Sequence, residues 1–379
     1  MAESEVMVDQ PKTDQLRLAS GQGPVTRTVL QTLPRDALPS ETPVIDISRI
    51  FSPSLVDRRA VASELRDAAM NIGFFYISNH GVPETIVDEA YQTALAFFRQ
   101  DLETKLKAHL SLGSTKKSGY RPFCSQRVNP DEGADHREAF SWAYDPTYDP
   151  EIGDINAVPD YARKYMKADE LPWQATSNMP EFKAALVPYI EHCLRLARAL
   201  TRSFALSLDL PEDYFDPKIK YPDAMMLLNY YPKSEPQSPG DARNHVSMGS
   251  HTDFRFFTIL WQDSTGGLQM LNRQGQWING RPIPGTFMVN IADFMQRVTN
   301  ERYVSTVHRV QNWSGAERMS IPFFWGFGPQ ERCGVLESCL DEAGEGKYDE
   351  ISTQEYVDSR LGQLMSWEGE ADRKNEGVS

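Results

Sequence analysis

From Ala224 onward the chain breaks into short apolar runs at close spacing, and few folds accept that pattern. Residues 225–231, 256–261, 268–271, 286–291, 306–310 and 319–327 each read as a strand rich in β-branched and aromatic side chains. Turn signals separate them at Gly266-Gly267, Asn279-Gly280 and Pro284-Gly285. Regular short strands of this kind predict a sandwich or barrel rather than a parallel α/β sheet. Ahead of them, Leu186, Ile190, Leu194, Ala197, Thr201 and Phe204 lie close to one stripe of a long helix from Phe182. Pro188 sits early in that helix, tolerated in a first turn and kinking if deeper.

The front half is mixed. A short strand at 42–47 precedes a helix with Val61, Leu65 and Ala68 on one face, stopped by Gly73. A buried strand at 74–77 turns at Asn79-His80-Gly81, and a second helix covers 84–98. Residues 110–179 read as loops. The expected organisation is one compact unit with four regions: an extended arm or lid, partly ordered at best, at 1–40; an N-terminal region with substrate loops at 41–180; a strand-rich region at 181–345; and a helix from 353 to 367 with its tail at 346–379.

Charge narrows the function. Lys and Arg number 39 against 53 Asp and Glu, and the net charge is −14 with no basic run. Such a chain has no electrostatic reason to bind nucleic acid or an anionic membrane. No apolar run approaches the roughly 20 residues that span a bilayer. The polar, acidic N-terminus lacks a secretory pattern. Cys124, Cys193, Cys333 and Cys339 form no Cys-x-x-Cys pair and read as buried or half-buried free thiols, so the expected location is cytoplasmic. No phosphate-binding glycine loop and no Gly-x-Ser-x-Gly elbow is present.

The informative constellation is His251-Thr252-Asp253, followed 55 residues after the Asp by His308. Residues i and i+2 of an extended strand share a face, so one imidazole and one carboxylate can meet a metal together. A second imidazole from a neighbouring strand completes a face of three ligands. Two His and one carboxylate, with three positions open, suit a non-haem Fe(II) site where a co-substrate and O2 both bind. His-x-Asp alone carries little. The surrounding sequence adds HTDFRFFTILWQDSTGGLQML, GQWINGRPIPGTFMVNIADFMQRVTNERYVSTVHRV and RMSIPFF, with PVIDIS and GFFYISNHGVP in the front half.

Together these segments resemble the 2-oxoglutarate/Fe(II)-dependent dioxygenases of the isopenicillin N synthase-like group, over about Pro43 to Phe327. The resemblance implies a mainly β fold with flanking helices around a double-stranded β-helix, or jelly-roll, core. It implies Fe(II) at His251, Asp253 and His308, with 2-oxoglutarate and O2 as co-substrates. Arg318 and Ser320, ten residues after His308, match the pair that holds the distal carboxylate of 2-oxoglutarate. A guanidinium fork plus a hydroxyl suits that group chemically. Asn229 and Tyr231 match positions that assist co-substrate binding. The implied reaction is oxidation of a small organic molecule by hydroxylation, desaturation or rearrangement, in specialised metabolism. The alternative is a 2-oxoglutarate-independent oxidase of the isopenicillin N synthase type, in which Arg318 and Ser320 bind a substrate carboxylate.

Substrate contacts in that group come from N-terminal loops and the strand after the Arg-x-Ser pair. Tyr120, Arg121, Phe140, Trp142, Phe324 and Trp325 are therefore candidates, favouring a partly planar organic acid or phenol. Arg255 departs from the usual small residue. Strand alternation would place it on the face of His251 and Asp253 if the strand stays regular, and at the rim otherwise. His80 reads as structural, and His245 as a loop residue near the pocket mouth. Oligomeric state is not readable.

Overall fold

The computed structural model describes residues 12–20, 23–114, 117–166, 169–236 and 246–363. The strands are β1 Thr13–Leu18, β2 Val25–Leu30, β3 Arg35–Asp36, β4 Val44–Asp46, β5 Phe74–Ser78, β6 Gly119–Arg121, β7 Glu138–Ala143, β8 Asp223–Tyr231, β9 Met248–His251, β10 Phe257–Gln262, β11 Leu268–Leu271, β12 Trp277–Asn279, β13 Phe287–Ile291, β14 His308–Val310 and β15 Arg318–Gly326. Three long helices, α1 Leu55–Asn71, α2 Glu84–Phe98 and α3 Pro180–Ser207, precede most of them. The core is two facing sheets, one of eight strands in the order β4-β5-β13-β10-β15-β8-β7-β6 and one of five in the order β3-β12-β11-β14-β9.

Both faces of the larger sheet are covered, and both carry apolar residues. Phe75 and Ile77 of β5, Val289 of β13, Ile259 of β10, Ile321 and Phe323 of β15, and Leu228 of β8 pack outward beneath the helices in the main cluster. Their alternates Phe74, Tyr76, Leu260 and Met288 face inward and meet Leu268, Met270 and Ile278 of the smaller sheet. That inward layer is the jelly-roll interior, and it leaves room at one end for the site described below. On α3 the predicted stripe holds, with Leu186, Leu194, Ala197, Thr201 and Phe204 buried. Pro188 lies inside that helix rather than in its first turn.

Several elements were not visible in sequence. β6 and β7 fall in the stretch read as loop and extend the larger sheet beyond β8. Residues 12–36, read as an arm, contain the β1–β2 hairpin, while β3 pairs in parallel with β12. Leu18 and Val29 of the hairpin pack on Leu271, Trp277 and Val307. A helix occupies 353–363. The four cysteines are free, three of them buried. No helix among the described residues is long and apolar enough to cross a membrane.

Candidate metal centre and co-substrate pocket

β9 ends at His251 and β14 begins at His308, and these two residues pair directly across the ladder. Their rings lie 4.2 Å apart between centroids. His251 Nδ1 is 2.9 Å from the Gly249 carbonyl, and His308 Nδ1 is 3.1 Å from that of Thr306. Each backbone acceptor fixes the proton on Nδ1 and leaves the Nε2 lone pair free. Both Nε2 atoms turn toward Asp253 Oδ1, at 3.7 and 3.8 Å. The other carboxylate oxygen, Oδ2, accepts hydrogen bonds from Thr258 Oγ1 at 2.6 Å and Asn290 Nδ2 at 2.7 Å. One oxygen is anchored to the larger sheet while the other faces the imidazoles.

The donor set fits a divalent transition metal. One ligand atom from each of the three residues lies within 4.8 Å of the others. Burial, reinforced by the neighbouring His308, pushes His251 down to about 3, so its imidazole is neutral at physiological pH. Burial opposes ionisation of Asp253, but the two imidazoles and the Thr258 and Asn290 hydrogen bonds outweigh it and hold the carboxylate below its usual range. Neutral nitrogens beside an ionised oxygen are what a metal ion requires.

The triad opens into a small cavity lined also by Phe74, Met248, Leu260, Leu268, Val310, Pro322 and Phe324. Its polar wall is Asn229, Tyr231, Arg318 and Ser320. In register, Tyr231 faces Arg318 and Asn229 faces Ser320 across the β8–β15 ladder. The Arg318 guanidinium is fully buried and stacks 4.7 Å from the Tyr231 ring centroid. Among the described residues its hydrogen-bond partners are all neutral: the Gly266 carbonyl, Ser320 Oγ at 3.3 Å and Gln262 Oε1 at 3.3 Å. A buried cation with only neutral acceptors is costly, and an anionic ligand relieves the cost.

Family models match one segment in each half of the chain. Residues 222–326 match the 2OG-Fe(II) oxygenase superfamily, and residues 42–161 match the N-terminal model described as non-haem dioxygenase in morphine synthesis. The chain is 57% identical over 369 residues to the 2-oxoglutarate-Fe(II) type oxidoreductase ppzC of Metarhizium majus, covering 96% of this chain and 98% of that protein. The chain belongs to the 2-oxoglutarate/Fe(II)-dependent oxygenases. This oxygenase is also 31% identical to the 2-oxoglutarate-Fe(II) type oxidoreductase hxnY of Emericella nidulans, over 84% of this chain and 89% of that one. Among solved structures, rice dioxygenase for auxin oxidation superposes with a TM-score of 0.65 at 25% identity, covering 85% of this chain and 95% of that one. A full-length Neurospora crassa protein in complex with α-ketoglutarate shares the fold, with a TM-score of 0.68 at 24% identity and coverage of 85% and 96%. The oxygenase is thus a non-haem iron enzyme that uses 2-oxoglutarate to oxidise a small molecule.

The substrate candidates separate by face. Phe324 lines the cavity. Trp325, the next residue, faces outward, and its indole N–H donates to Thr201 Oγ1 at 2.9 Å. Tyr120, Phe140 and Trp142 also lie in the outer core; the Tyr120 hydroxyl donates to Glu138 at 2.5 Å and Phe140 packs against Phe97. A fully buried large side chain contributes about 1.5–3 kcal/mol, enough to draw each aromatic beneath the helices. Arg121 is on the inner face, donating to Ser141 Oγ at 2.7 Å.

Arg255 requires a correction to the alternation reading. The strand ends at His251, residues 255–256 form a bend, and the side chain pairs with Asp223 at 2.8 Å instead of facing the metal ligands. His80 stacks on Phe287 at 4.2 Å, within the scaffold. His245 lies outside the described residues.

Sequence reasoning missed Thr258, Asn290 and Arg137, whose guanidinium donates to Asn229 Oδ1. Asn290 had a signal, being an amide inside the apolar run of β13. Arg137 had none, since a loop arginine gives no periodicity.

Proposed function

We propose that His251 Nε2, His308 Nε2 and Asp253 Oδ1 hold Fe(II), and that Arg318 and Ser320, assisted by Asn229 and Tyr231, hold 2-oxoglutarate. The observation that supports this most is the buried Arg318 guanidinium, which among the described residues has only neutral partners and shares one cavity with the triad. Bound iron supplies the meeting point for O2 and 2-oxoglutarate and the oxidising power to take a hydrogen atom from the substrate. The residues around it position and exclude. Thr258 and Asn290 keep Asp253 turned so that Oδ1 faces both imidazoles. Phe74, Leu260 and Leu268 give the cavity apolar walls, which limit water near the reacting groups.

The product class is an oxidised small organic molecule of specialised metabolism, made in the cytoplasm. The fungal relatives named as 2-oxoglutarate-Fe(II) type oxidoreductases support the dioxygenase reading over a 2-oxoglutarate-independent oxidase.

The test is the Arg318→Ala variant. Loss of charge-assisted hydrogen bonds weakens 2-oxoglutarate binding on the order of 100-fold, with metal content unchanged. Unchanged 2-oxoglutarate affinity in equilibrium titration rejects the assignment.

A further inference from the structure

The inner face of the larger sheet continues past the metal cavity. Arg121 of β6 pairs with Ala139 of β7, Ala139 with Asn229 of β8, and Asn229 with Ser320 of β15. Residues directly opposed in antiparallel strands share a face. Arg121 therefore stands in one row with two residues of the cavity wall, separated from them only by the methyl group of Ala139.

The charges around Arg121 are unusual. Its guanidinium donates to Ser141 Oγ at 2.7 Å, and that hydroxyl donates onward to the Lys117 carbonyl at 2.8 Å. Among the described residues no carboxylate lies within ion-pair distance of it. Burial pushes Arg121 down to about 10, and the nearby Arg137 acts in the same direction. Arg137 itself is paired with Asp135 at 3.2 Å.

Along this wall Arg137 is paired with Asp135, and Arg318 is assigned to 2-oxoglutarate. Arg121 is the guanidinium of the row left without an anionic partner among the described residues.

We propose that Arg121 anchors a carboxylate of the substrate, so that the substrate is a monoanionic organic acid. The acid group lies on the β6–β7 side of the cavity and the oxidised carbon lies toward the triad. β6 is two strand spacings from β8, about 10 Å, which an acid carrying one or two rings spans. Ser141 occupies only one guanidinium nitrogen, Nη1, and the fork keeps further N–H donors for a carboxylate. This rests on the proposed placement of 2-oxoglutarate at Arg318, because otherwise the substrate carboxylate would go there.

The test uses the full-length protein with Fe(II) and 2-oxoglutarate in the absence of O2, as wild type, Arg121→Gln and Arg121→Lys. Benzoate, phenylacetate and indole-3-acetate are each compared with the corresponding primary amide. Binding is read from intrinsic tryptophan fluorescence and from the shift in thermal midpoint. At least one acid is expected to bind the wild type about tenfold or more tightly than its amide. Arg121→Gln is expected to erase that preference and Arg121→Lys to retain part of it. Equal binding of acid and amide, no binding of any acid, or an undiminished preference in Arg121→Gln overturns the proposal. The visible absorption of the 2-oxoglutarate complex is recorded in the same samples. Its absence in wild type points to failure of the co-substrate placement, whereas its presence in every sample confines any failure to Arg121.

Discussion

Asp253 shows how much of the site depends on residues that never touch the metal. Its Oδ2 is held by Thr258 on β10 and Asn290 on β13, and this turns Oδ1 toward the two imidazoles. Removing such supporting hydrogen bonds typically costs 10–100-fold in metal affinity. Thr258→Val and Asn290→Leu are each expected to weaken Fe(II) or Co(II) binding by about tenfold or more, measured by anaerobic titration, while the fold persists. At this scale the sequence pointed to His251, Asp253 and His308, which the fold brings within 4.8 Å of one another, because the segments around His-x-Asp and the downstream His resemble the dioxygenase family. It could not rank the surrounding aromatics. Phe324 and Trp325 are adjacent, and a single step of strand parity decides which of them meets the cavity.

Elements were legible where periodicity was strong. The helix expected over 84–98 is α2 itself, and the six strands expected after Ala224 are β8, β10, β11, β13, β14 and β15 with shifted ends, while β9 and β12 were not expected. The misses have physical causes. β6 and β7 lie among Pro, Asp and Gly residues that suggest loops, and their pairing energy comes from β8, distant in sequence. The Arg255 alternation failed because regular strand geometry stops at His251.

The N-terminal segment is tied down by a charge that sequence does not pair. Arg35 donates to both oxygens of Glu41, at 2.6 and 2.7 Å, and Asn272 of the loop after β11 donates to the same carboxylate at 3.4 Å. The Arg35 hydrogen bond is the main cause holding Glu41 down at about 2. A depressed carboxylate stabilises the fold above its unfolded pKa, near 4.3, and that contribution is lost as pH falls toward 2. Glu41→Gln is expected to lower stability toward urea at pH 7, with the difference shrinking between pH 4.5 and 2. A pH-independent difference would mean that the carboxylate charge is not responsible.

At the scale of the whole molecule, the proposed metal joins the two sheets. His251 and His308 belong to the smaller sheet, and Asp253 is hydrogen-bonded to the larger one. Binding to the folded state alone stabilises it by about 2.7 kcal/mol at a free metal concentration 100 times the dissociation constant. Removal of metal by a chelator is therefore expected to lower the thermal midpoint by several degrees, and readdition to restore it. His308→Ala is expected to show no metal-dependent shift.

Bringing iron, 2-oxoglutarate and Arg318 into one cavity is the central claim, and one optical titration addresses it directly. Addition of 2-oxoglutarate to the Fe(II) protein without O2 is expected to produce a saturable metal-to-ligand charge-transfer band in the visible, with a stoichiometry of one, and Arg318→Ala to require far more 2-oxoglutarate to reach it. An iron-loaded wild-type protein that binds 2-oxoglutarate without producing the band, or does not bind it at all, would contradict the claim.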